Sequence, residues 1–152
     1  MLKSVEWTTS HASQVQARAI APTPPERRKA TQFALLIYES PGAFAARKND
    51  ENDPYLGAWR AYYKALVEAG IYVGGDPLQL PETGTTVRFN EGRRRVQDGP
   101  YADTKEQLGG FIIVDLPSLD AALDWAARCP ATSAGAVEVR PLAPETKRRI
   151  TG

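Results

Sequence analysis

Two short runs in this chain are apolar at every position: Phe33-Ala34-Leu35-Leu36-Ile37-Tyr38 and Phe111-Ile112-Ile113-Val114. A strand with one wet face alternates apolar and polar residues, so runs without alternation read as strands covered on both faces. Each is followed by a helical stretch. Asp53-Pro54 opens the first, because aspartate caps free N–H groups and proline is tolerated in the first turn. Trp59, Tyr63, Leu66 and Val67 then recur at helical spacing, flanked by Tyr55, Leu56 and Tyr62, and Gly70 closes the helix. Ser118 caps the second helix, which carries Leu119, Ala122, Leu123 and Ala126 on one face with Trp125 beside it, up to the stop at Cys129-Pro130.

Further extended segments complete the pattern. Ile71-Tyr72-Val73 follows the first helix, and the alternating Ala136-Val137-Glu138-Val139-Arg140 follows the second. Thr85–Phe89 and Arg93–Gln97 flank Asn90-Glu91-Gly92 as a hairpin. Asp103-Thr104-Lys105-Glu106 has capping-box spacing and predicts a short helical turn, with Gly109-Gly110 read either as its stop or as glycines that allow close backbone approach to a ligand. The order β-α-β, hairpin, β-α-β predicts an α+β fold of ferredoxin-like split βαβ type with a hairpin insertion. Two helices cover only one face of such a sheet. The doubly apolar strands therefore predict a homodimer packed sheet to sheet, with the N-terminal tail folding back over that face as the competing explanation.

Composition narrows the function. The 152 residues hold 19 Lys and Arg against 18 Asp and Glu, a net charge of +1. That gives no long-range field for nucleic acid or a membrane surface, and no apolar run is long enough to span a bilayer. Cys129 is the one cysteine and His11 the one histidine, which argues against a disulfide framework and a metal cluster and suits a cytoplasmic setting. There is no Gly-rich phosphate loop either, so no cofactor is expected. Ala21 to Lys29, rich in proline and basic residues, reads as a solvated linker. Residues 1–31 are accordingly read as a flexible N-terminal extension, 32–143 as the domain, and 144–152 as a basic tail ending in Lys147-Arg148-Arg149.

The stretch from Val96 through Asp98-Gly99-Pro100-Tyr101 and Gln107-Leu108-Gly109-Gly110-Phe111 resembles the signature of the DGPF branch of the YCII-related family. The first strand, the segment from Leu66 to Gly75, the Ala-Leu-Asp-Trp of the second helix and the ending Val137-Glu138-Val139-Arg140-Pro141 agree with it. The resemblance spans roughly residues 33–142, and Tyr101 stands where the family's name has phenylalanine. It implies a dimeric α+β barrel. It implies little about chemistry: related proteins include a dehydrochlorinase of a chlorinated hydroxyquinone, and the fold is similar to that of muconolactone isomerases. A histidine–aspartate site has been suggested for one branch. Asp98 can match the aspartate, but the domain has no histidine to match the other partner.

Asp98, at a strand end, is the candidate general acid or base, with carboxylate-to-backbone bonds in the Gly99-Pro100 turn as the equal structural explanation. Tyr38 and Tyr101 could line a cleft and hydrogen-bond a substrate, Lys105 could orient an anion, and Arg88 could meet Arg95 across the hairpin as an anion site. For each of these the structural role is the commoner one. Cys129 reads as a buried filler. Two functions follow: a cofactor-free isomerase or lyase for a small molecule, or a non-enzymatic module binding a ligand or protein. The family's frequent gene neighbourhood with alternative sigma factors would suit a regulatory form of the latter.

Overall fold

The computed structural model describes residues 30–47 and 52–152. The expected N-terminal extension and the polar loop after Arg47 lie outside the described residues, except for the last two residues of the former, Ala30 and Thr31, and for Arg47 itself. The elements run β1 (Thr31–Glu39), α1 (Pro41–Ala45), α2 (Pro54–Glu68), β2 (Tyr72–Pro77), β3 (Thr85–Asn90), β4 (Arg93–Asp98), β5 (Gln107–Leu116), α3 (Leu119–Ala127), β6 (Gly135–Pro141) and α4 (Pro144–Thr151). This is an α+β fold. Its main sheet has the order β2-β5-β1-β6 with antiparallel neighbours, and β3 and β4 form a separate two-stranded ribbon.

β1 and β5 occupy the centre of the sheet, as their apolar runs require. Their pleat divides each run in two. Phe33, Leu35 and Ile37 of β1 and Ile112, Val114 and Leu116 of β5 are buried against α2 and α3. Ala34, Leu36, Tyr38, Phe111 and Ile113 have the opposite parity and are only half-buried. The side chains α2 buries are Tyr62 and Leu66, and those of α3 are Ala122 and Ala126. Withdrawing Leu66 fully from water contributes ~1.5–3 kcal/mol.

Local chemistry behaves as expected at several points. The Asp53 carboxylate accepts from the Tyr55 N–H at 2.7 Å, and Ser118 caps α3 through the Ala121 N–H at 3.2 Å. Glu91 and Gly92, both at positive φ (50° and 72°), make the two-residue hairpin turn whose twist suits the ribbon. Cys129 is buried in the core. Two expectations need correction. Val67, Leu119 and Leu123, placed on core faces by periodicity, are 59%, 50% and 48% exposed, because the helices roll so that Tyr62 and the small Ala122 and Ala126 meet the sheet. Residues 103–106 are not a helical turn. They form an irregular loop, held by the Gln107 side chain, whose amide donates to Ala102 O at 3.0 Å and Thr104 O at 2.7 Å. Gly109-Gly110 does not end a helix but lies within β5. The basic residues at the C-terminus are carried on α4.

Candidate functional site

The most informative side chain is Glu39, the last residue of β1. It shares the inward parity of Phe33, Leu35 and Ile37, and at 1% exposure it is, among the described residues, the charged side chain buried in the core. A buried carboxylate is costly unless it is paired and hydrogen-bonded. Here both oxygens are engaged. Oε2 forms an ion pair with Arg47 Nη2, and Oε1 accepts from the Tyr55 hydroxyl.

Three elements build this group. The Ser40 side chain caps α1, whose C-terminal end delivers Arg47 back over the strand. The Asp53 cap starts α2, placing Tyr55 in its first turn. The third element is a bulge in β5. Ile37 pairs with Gly110 and Tyr38 with Leu108, so Gly109 is the extra residue. Its carbonyl accepts from Arg47 Nη2 at 2.9 Å and from the Leu78 N–H at 2.9 Å. A Cβ at this position would collide with Glu39 Oε2 and lie 2.6 Å from Arg47 Nη2, so the ion pair occupies the space that glycine leaves. Arg47 Nη1 donates to Leu78 O at 2.8 Å, and its guanidinium lies 4.7 Å above the Phe44 ring.

Beside this group opens a cavity of about 400 Å³ between α2 and the β1–β5–β2 part of the sheet. Ile37, Leu56, Trp59 and Tyr63 supply apolar and aromatic walls, and Gly109 and Gly110 complete the lining on the β5 side. Arg47 and Tyr55 face it from the Glu39 side, and Arg60 and Asp76 add charges of opposite sign. The rings pack edge to face, Tyr55 on Trp59 at 6.2 Å between centroids. Burial first, and then the hydrogen bond to Glu39, push the Tyr55 hydroxyl up to about 12, so it stays protonated at neutral pH. Burial also raises Tyr62 and Tyr63, and it lifts the Cys129 thiol to about 11. Among the described residues there is no group of three or more His, Cys, Asp or Glu side chains that could hold a metal ion.

The residues singled out in the sequence lie elsewhere. Asp98 is exposed at the end of β4, opposite Thr85. Tyr38 and Tyr101 come together, lining a second cavity of about 430 Å³ with Leu80 and Leu108. Arg88 does face Arg95 across the ribbon, and its guanidinium stacks 4.7 Å over the Tyr101 ring. Lys105 is exposed in the loop before β5. Neither cavity is lined by Asp98, Arg88 or Lys105. The sequence does hold a sign of the Glu39 site: a charged residue continuing the buried phase of an apolar strand.

The model of the YCII-related domain matches residues 31–146. The chain belongs to the YCII-related family. It is 39% identical over 114 residues to an uncharacterised protein of Rhizobium meliloti (strain 1021), a match covering 73% of this chain and 91% of that protein. The matched span of this YCII-related chain takes in the whole main sheet and every residue of the Glu39 group. Among the described residues, no helix is long and apolar enough to cross a membrane.

Proposed function

We propose that this YCII-related protein is a cofactor-free isomerase or lyase acting on a small ring compound in the 400 Å³ cavity beside Glu39. The observation that carries the reading is a fully buried carboxylate connected to an aromatic cavity through the Tyr55 hydroxyl. Tyr55 holds its proton too tightly to act as a base by itself. It serves as a relay: a substrate proton passes to Tyr55 Oη while the Tyr55 proton passes to Glu39 Oε1. Return of the proton to a different substrate atom completes an isomerisation. Departure of a leaving group with its bonding pair, leaving a double bond, completes an elimination.

Asp98 remains a proposed general acid or base for chemistry near the ribbon, where Tyr38 and Tyr101 line the other cavity. A screen of cyclic acids, lactones and quinols by thermal shift, followed by turnover assays, separates the two sites. Loss of ligand stabilisation and turnover in Tyr55→Phe, with retention in Asp98→Asn, supports the Glu39 site. The reverse pattern moves the chemistry to Asp98, and retention in both variants overturns both assignments.

A second reading, a non-enzymatic binding module, draws on the ribbon. Val87, Phe89 and Val96 share one of its faces and are exposed, Phe89 at 75%. A cytoplasmic dimer accompanies either reading. The half-buried apolar face of Ala34, Leu36, Phe111 and Ile113 supports pairing with a second copy, and the strand order supports the ferredoxin-like, dimeric-barrel arrangement. Sedimentation of the wild type and of Leu36→Arg tests it, and a monomeric wild type refutes it.

A further inference from the structure

Resting on the Glu39–Tyr55 reading, we infer that the cavity selects uncharged rings that donate a hydrogen bond, such as a phenolic hydroxyl, over the matching ethers and carboxylates. The direction of one hydrogen bond decides this. Glu39, paired with Arg47, is an acceptor, so the bond between it and Tyr55 is donated by the tyrosine. Tyr55 therefore has no hydrogen left for the cavity; its oxygen already takes a side-chain hydrogen bond from Trp59, and a ligand meeting the lone pair that remains must bring the hydrogen. Turning the Tyr55 hydrogen to the ligand instead would leave Glu39 Oε1 buried without its donor.

Arg47 does not offset this by gripping an anion. Both of its paired-donor geometries use Nη2, and Nη2 is committed to Glu39 and to the Gly109 carbonyl. Nη1 donates to Leu78 O. Arg60 and Asp76 in the lining are both exposed and opposite in sign, so water screens each of them and neither sets the charge of the ligand. Trp59, Tyr63, Leu56 and Ile37 take up the ring.

The test uses phenol, anisole and benzoate, titrated at neutral pH into the full-length protein with binding followed by calorimetry or NMR shifts. Phenol should bind about tenfold more tightly than either other compound. In Glu39→Gln, the amide oxygen keeps Arg47 while its N–H turns toward Tyr55 Oη, reversing the hydrogen bond. The preference should then relax, with anisole gaining relative to phenol. Benzoate or anisole binding the wild type as tightly as phenol overturns the inference. If all three bind equally and the cavity-filling Leu56→Trp abolishes binding, the site stands and only the donor rule falls. If none binds, the cavity reading under the proposed function falls, and this inference with it.

Discussion

Arg47→Met isolates the group on which the site rests. The substitution strands a carboxylate that is 1% exposed, and removes the donors to Leu78 O and Gly109 O. Breaking a buried pair from one side costs ~3–5 kcal/mol. Arg47 is itself 25% exposed and Tyr55 remains as a donor to Glu39, so the lower end, ~3 kcal/mol, applies. At roughly 4 °C per kcal/mol for a domain of this size, Tm should fall by about 12 °C. Urea denaturation and calorimetry measure this. The decisive comparison is Glu39→Gln added to Arg47→Met, which removes the stranded charge and keeps an acceptor for the Tyr55 hydroxyl. That double variant should recover about 2 kcal/mol relative to Arg47→Met. If Arg47→Met costs less than about 1 kcal/mol, or if adding Glu39→Gln destabilises it further, Glu39 is not held as an ion pair in a dry site, and the reasoning fails.

Other consequences are quick to test. Gly109→Ala puts a methyl group where Glu39 and Arg47 meet, and should cost ~3 kcal/mol by urea denaturation, whereas Gly57→Ala, on open helix surface, should leave stability equal or higher. Tyr55 has a folded-state pKa of about 12 against an unfolded value of 10.0, so the unfolded chain loses this proton first as pH rises. The stability it contributes is complete below pH 10 and drains away as pH climbs toward about 12, and Tyr55→Phe should flatten the fall in urea midpoint measured from about pH 9 to about pH 11. The Cys129 thiol, buried and lifted to about 11, should react with iodoacetamide at neutral pH only as fast as the domain opens; rapid labelling of the native protein would contradict the packing.

Much of this fold was legible in one dimension because its causes are local. Unbroken apolar runs mark the two central strands, Asp53 and Ser118 mark helix starts, and Glu91-Gly92 marks a turn that needs positive φ twice. The site was not legible, for a reason the same elements supply. The motif points to Asp98, Tyr101 and Lys105, which lie outside the Glu39 cavity, although Gly109 and Gly110 of the same stretch line it. Capping-box spacing at Asp103 and Glu106 likewise lost to the hydrogen bonds of Gln107, a residue outside the pattern. By itself the sequence determined the α+β class, the family and the central strands. Only the tertiary structure decided that a carboxylate on β1, an arginine after α1, a tyrosine on α2 and a bulged glycine on β5 meet at one point, because a buried charge finds its partners through space rather than along the chain.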